Sequence, residues 1–155
     1  MHNRTISPLD NLPQRPTIVK WSNREIVKLS NCKLPKSERL YLRSSIGKLF
    51  AEGKGFVAFP YRVVWRIVPD DEPRPARVCI MTIAPKKKFR HAVDRNLEKR
   101  HLREAYRRAK QPLVEHFTAT GRHLAVAFVC VDSKHHPYAE VERVMQKIIA
   151  RLLTL

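Results

Sequence analysis

An apolar pattern ordered helix, strand, strand, helix, strand, helix predicts an α+β domain, a layer of helices on a small sheet. Three observations carry that prediction. Leu124 to Val131 is an almost unbroken apolar run of strand length, as expected in a sheet interior. Phe56 to Val68 and Arg77 to Ala84 are rich in β-branched and aromatic residues and flank a turn. Tyr138 to Leu153 is amphipathic with helical period, placing Val141, Val144, Met145, Ile148, Ile149 and Leu152 inward. A length of 155 residues at 43% hydrophobic suits one such domain with a tail.

Residues 1–33 carry Pro8, Pro13 and Pro16 and are expected to be a largely flexible N-terminal extension. The domain spans 34–155. Pro35, Ser37 and Glu38 give helix-start chemistry, and Leu40, Leu42, Ile46, Leu49 and Phe50 continue a helix to near Gly53. Phe56 to Val68 is one strand, long enough to bend or split in two. Pro69 to Pro75 reads as a turn, and Arg77 to Ala84 as the returning strand of a hairpin. Ala92 to Lys110 is a helix limited by Pro112. His135-His136-Pro137 is a loop whose two adjacent histidines are expected to face solvent.

Charge narrows the function. The chain holds 31 Lys and Arg against 14 Asp and Glu, with pI near 10.5. Such a balance draws polyanions. Cys32, Cys79 and Cys130 are odd in number and far apart, so neither a disulfide framework nor a zinc site is expected, and no metal ligands are assigned. The N-terminus lacks a signal-peptide apolar core and no run reaches membrane-span length, so a cytoplasmic protein without a membrane partner is expected. No Ser/His/Asp or Cys/His nucleophile set is present.

Nearly half of the net charge lies in residues 86–110, KKKFRHAVDRNLEKRHLREAYRRAK, where eleven cations face three acids. With Val93 at 0° on a helical wheel, Leu102, Ala105, Tyr106 and Ala109 fall between about 120° and 220°, a packing face. Asn96, Lys99, Arg100, Arg103 and Arg107 fall between about 240° and 340°, beside it. Guanidinium forks suit phosphate oxygens, and Asn96 can donate and accept. Glu104 has five cations nearby and orients one of them. Lys86, Lys87, Lys88 and Arg90 lead into the helix N-terminus, extending one anion-binding footprint. The same charges also suit a merely solvated helix, although Arg95, Lys99 and Arg103 repel at that spacing unless an anion sits on them.

The stretch carried by Lys87, Lys88, Ala92, Val93, Arg95, Asn96, Lys99, Arg100, Arg103 and Glu104 closely resembles the signature of the protein subunit of bacterial ribonuclease P. Leu97 stands where many members have Arg, and Arg90 where many have Gly. The resemblance implies an α-β-β-β-α-β-α two-layer sandwich like domain 2 of ribosomal protein S5, with a left-handed β-α-β crossover. It further implies an endoribonuclease holoenzyme in which catalysis belongs to the RNA subunit and its magnesium ions, so no catalytic residue is expected on this chain. The implied partners are the catalytic RNA and the 5′ leader of precursor tRNA, with no obligate protein partner. By the same analogy, a cleft between the first helix and the sheet holds the leader, with Phe50, Tyr61 and Trp65 as its candidate floor; each of the three also suits plain core packing. The rivals are a standalone RNA-binding or ribosome-associated module and a coat for anionic membrane or nucleoid. The coat fits the charge but not the Asn96 pattern.

Overall fold

The computed structural model describes residues 33–72 and 75–155. The expected extension lies outside these residues, Lys33 apart. The elements are α1 (Arg43–Glu52), β1 (Lys54–Ala58), β2 (Tyr61–Val68), β3 (Val78–Ile83), α2 (Ala92–Ala109), α3 (Gln111–Ala119), β4 (His123–Cys130) and α4 (Tyr138–Leu152).

The strands form one sheet in the order β1-β2-β4-β3. β1 and β2 are antiparallel, β2 and β4 antiparallel, β3 and β4 parallel. This corrects the expected hairpin between Phe56–Val68 and Arg77–Ala84. The hairpin lies inside the first stretch instead, with Ala58 opposite Tyr61 around Phe59-Pro60. Pro60 has no N–H to donate, so a ladder cannot run through it. The most apolar strand, β4, then takes the centre and separates β2 from β3.

The first helix is also shorter than its pattern predicts. Lys36–Glu38 is a single 3-10 turn, and α1 begins only at Arg43. Between them Arg39 bridges to Ile80, and the Leu40 N–H donates to the Ile80 carbonyl at 2.8 Å. Leu40 and Leu42 belong to this extended segment, and their two-residue spacing is that of a strand. The end of α1 is as expected: a Cβ on Gly53 would collide with the Leu49 carbonyl oxygen and touch Val64 Cγ1.

Pro112 does not end the helical region. It sits in the first turn of α3, where its missing N–H has no intrahelical partner to lose. Gly121, with φ of 70°, turns the chain out of α3 into β4. Lys110, at the α2–α3 junction, is buried, with its Nζ 2.7 and 2.8 Å from the two Glu38 carboxylate oxygens. It ties the 33–38 segment to the helices.

The two sheet faces bury different cores. Tyr61, Val63, Val78, Ile80, Val126 and Phe128 point toward α2, α3 and α4, meeting Leu102, Tyr106, Phe117 and the six expected inward residues of α4. On the other face Leu49 of α1 meets Val64, Ala125 and Ala127. Small residues there let the helix approach closely. Cys79 and Cys130 are buried free thiols, as their apolar setting predicts, and burial pushes the Cys130 thiol up to about 12.

Candidate nucleic-acid interface

One flank of α2 packs through Leu102, Ala105 and Tyr106, joined by Glu98. The adjacent flank carries Asn96, Arg100, Arg103 and Arg107 along a broad open depression bounded by Arg39 and Tyr138. Leu97 lies on the same wall, 40% exposed, so this chain offers an apolar contact where the family pattern has a cation.

What keeps this flank positive is the engagement of the three acids on α2. Glu98 is 1% exposed and meets His135 Nδ1 at 2.7 Å, and Asp94 lies 3.5 Å from the other nitrogen of that ring. Both acids face the 131–137 loop. Glu104 accepts two hydrogen bonds from Arg107, at 2.8 and 2.6 Å, and one from Arg108 at 3.3 Å. Arg107, followed by Arg108, holds its carboxyl down at about 2 against the opposing effect of burial. Among the described residues, no carboxylate pairs with Lys86, Lys87, Lys88, Arg90, Lys99, Arg100 or Arg103.

The footprint residues are not equivalent. Arg95 points Nη1 at the carbonyls of Phe89 and Arg90, at 2.9 and 2.8 Å, and so fastens the Lys86–Arg90 loop to the helix. Arg103 donates Nε to the Lys99 carbonyl at 3.0 Å and lines the depression. Lys86, Lys87, Lys88, Arg90, Asn96 and Arg100 are exposed. The histidine loop meets the expectation at His135, which is exposed, and departs from it at His136. His136 is largely buried between Asp132 and Glu140, at 3.0 and 3.1 Å. Burial opposes its charged form, but the two carboxylates outweigh that and raise its pKa. Among the described residues no three His, Cys, Asp or Glu side chains gather as a metal-holding group.

The three aromatic candidates do not meet. Phe50 is 47% exposed on α1, whereas Tyr61 is 1% exposed and belongs to the core on the opposite sheet face. Trp65, four residues on, shares Tyr61's face, with Lys54 Nζ 5.9 Å from its ring centroid. A floor for a groove beside α1 therefore uses the other parity of the strands. Val57, Arg62, Val129 and Ile83 stand in register across all four strands on the α1 face. Val57 is 62% exposed, and Arg62 has no ion-pair partner among the described residues. Arg66, on the same face, is fully engaged: it donates to Glu72 at 3.1 and 2.8 Å and to Glu52 at 2.8 Å. The signal for this strip was the alternation of β2, since Tyr61, Val63 and Trp65 cannot share a face with Arg62 and Val64.

A family model described as Ribonuclease P matches residues 34–153. Two relatives named ribonuclease P protein component, from two strains of Porphyromonas gingivalis, are 43% identical over 119 residues, 77% of this chain and 85% of theirs. The chain belongs to the ribonuclease P protein family. It has the role of a ribonuclease P subunit in tRNA processing, and an RNA partner comes with that role. The fold agrees. The RNase P protein of Staphylococcus aureus matches with a TM-score of 0.59 at 14% identity, covering 75% of this chain and 95% of that one. The RNase P protein of Thermotoga maritima matches with a TM-score of 0.54 at 23% identity, covering 74% and 96%. No helix among the described residues is long and apolar enough to cross a membrane.

Proposed function

We propose that this subunit binds the catalytic RNA through α2 and the Lys86–Arg90 loop, and the 5′ leader of precursor tRNA along the open strip beside α1. In the assembled cytoplasmic ribonucleoprotein, leader removal is endonucleolytic and yields the mature tRNA 5′ end. The chemistry belongs to the RNA, with magnesium ions held mainly by RNA phosphates. The chain's own residues bind and orient. Arg100, Arg103 and the lysine loop hold phosphates, Arg95 keeps that loop in place, and Phe50 offers a ring to an unpaired base. The observation that carries this reading is the flank of α2, where Arg100 and Arg103 are left uncancelled because the helix's acids are engaged by His135, Arg107 and Arg108.

Reconstitution tests it. The purified protein should raise cleavage of precursor tRNA by its cognate catalytic RNA at low magnesium, and should not cleave without that RNA. No stimulation would leave a standalone RNA-binding module as the better reading. Robust cleavage by protein alone would overturn the assignment of the chemistry to RNA.

A further inference from the structure

We infer that the outer row of α4, Arg143, Lys147 and Arg151, together with Lys54 on β1, is a second RNA-binding surface that holds the phosphate backbone of a helical segment of the catalytic RNA. The inference uses the RNA partner that comes with the family role and goes beyond both the α2 flank and the strip beside α1. The three α4 cations are exposed and four residues apart, so they stand in one row at steps of about 6 Å along the helix. Like charges at that spacing repel unless an anion sits on them. Among the described residues, neither they nor Lys54 have a carboxylate partner. The nearby acids are engaged elsewhere. Glu140 is held by His136, Glu142 faces Arg108 at 3.6 Å, and Glu52 accepts from Arg66 at 2.8 Å.

Two of the four cations are fixed in place by rings. Arg151 Cζ lies 4.3 Å from the Phe56 ring centroid, and Lys54 Nζ lies 5.9 Å from that of Trp65. Lys54 stands opposite Trp65 in the hairpin register and Phe56 opposite Val63, so Lys54 and both rings share the sheet face that α4 covers. The α4 row and the β1 edge are thereby one surface, on the opposite face from Leu49 and the strip. Topology also separates it from the α2 flank. β1 and β3 are the two edge strands. Arg103 of the flank shares a cleft with Ile80, Met81 and Thr82 of β3, whereas Arg151 lies over β1. The two basic surfaces stand at opposite edges of the sheet, so an RNA segment docked on the flank leaves the α4 row open to another.

The chemistry of the row selects a helical RNA backbone. Each ring already carries a cation, so neither offers the open face on which an unpaired base stacks. Between Arg143 and Arg151 the exposed residues of α4 are those three cations with Gln146 and Ala150, so no large apolar anchor is offered to a protein partner. What is left is a line of charges. It fits the phosphates of an RNA helix, which is recognised by shape and backbone contacts more than by sequence.

The test uses the full-length protein and its cognate catalytic RNA. Affinity is measured over a salt series, and the bound RNA is mapped by hydroxyl-radical footprinting. The proteins compared are wild type, R143Q/K147Q/R151Q, Lys147→Gln alone and Arg100→Ala. The triple variant should lose roughly tenfold or more in affinity. Its slope of log affinity against log salt should flatten by about 0.7–0.9 for each phosphate left without its cation. It should lose protection over a helical segment that Arg100→Ala leaves protected. Lys147→Gln keeps the Arg151–Phe56 contact and should lose part of the same protection, so a folding defect in the triple variant cannot hide the result. A footprint unchanged in both α4 variants overturns the surface. So does loss of the same protections as in Arg100→Ala, which would reduce the two surfaces to one docking segment. Unchanged affinity for the catalytic RNA, with weaker holoenzyme affinity for precursor tRNA, would assign the row to the substrate and overturn the proposal. Failure of the wild-type protein to bind the catalytic RNA would break the RNA partnership itself, an outcome visible without any variant.

Discussion

The basic flank of α2 and the open strip beside α1 differ in how their residues come together. The flank is local: Asn96, Arg100, Arg103 and Arg107 lie on one helix, and their exposure follows from 3.6-residue geometry once the opposite flank packs. The strip is assembled from four strands, one residue from each, and exists only through the register that sets Arg62 between Val57 and Val129. The flank is built of charge and the strip mainly of apolar side chains around one arginine. If both hold RNA, the first should be sensitive to salt and indifferent to sheet packing, and the second the reverse.

The largest expected effect tests the placement of Tyr61. Tyr61→Ala should destabilise the fold by about 3–5 kcal/mol, the usual consequence of emptying a buried aromatic site, as read by chemical denaturation. Precursor affinity per folded molecule should hardly change. A direct loss of leader binding in a variant of normal stability would return Tyr61 to the groove and break the parity argument.

That parity is where the sequence was least legible. The α2 segment could be read because its packed and charged residues are three and four positions apart on one element. Tyr61 and Trp65 share a face, as any four-residue spacing in a strand does, but which face meets α1 depends on Leu49 docking over Val64, Ala125 and Ala127. Those partners lie more than sixty residues apart in part, and no local pattern encodes them. The misread hairpin has a similar origin. Adjacent strands joined by a Pro-rich turn usually pair, and the insertion of β4 between them is a tertiary choice driven by its apolarity. The start of α1 was displaced because Leu40 found a hydrogen-bond partner in Ile80. Lys110 entered only as one of the eleven cations of residues 86–110, and its burial against Glu38 at the helix junction is set by the tertiary fold. The helix at Gln111–Ala119 was missed by treating Pro112 as a terminator when it serves as a first-turn residue.

Next in size is the charge of the flank. Arg100→Ala and Arg103→Ala should each weaken binding of the catalytic RNA by roughly 1–3 kcal/mol, the range for charge-assisted hydrogen bonds. Each should also reduce the slope of log affinity against log salt, by about 0.7–0.9 for every phosphate left without its cation. Filter binding over a salt series reads both. An unchanged slope would mean that these guanidinium groups do not neutralise phosphates.

The smallest effect concerns His136, held between Asp132 and Glu140. His136 has a folded-state pKa above the ordinary value because Asp132 and Glu140 favour its charged form. Its contribution to stability is therefore complete below the unfolded value, near about 6.5, and is lost as pH rises through the higher folded value. Denaturation midpoints across neutral pH should show a fall toward alkaline pH that disappears in His136→Gln. Equal pH dependence in both proteins would show that this pairing does not rely on the imidazolium.

Site-specific photo-crosslinking within the assembled holoenzyme bound to precursor tRNA tests the central claim most directly. A probe at position 100 on α2 should join to the catalytic RNA, and a probe at position 50 on α1 should join to the leader. Crosslinks from position 100 to the leader, or none to the catalytic RNA, would contradict the division of labour between the charged flank and the sheet strip.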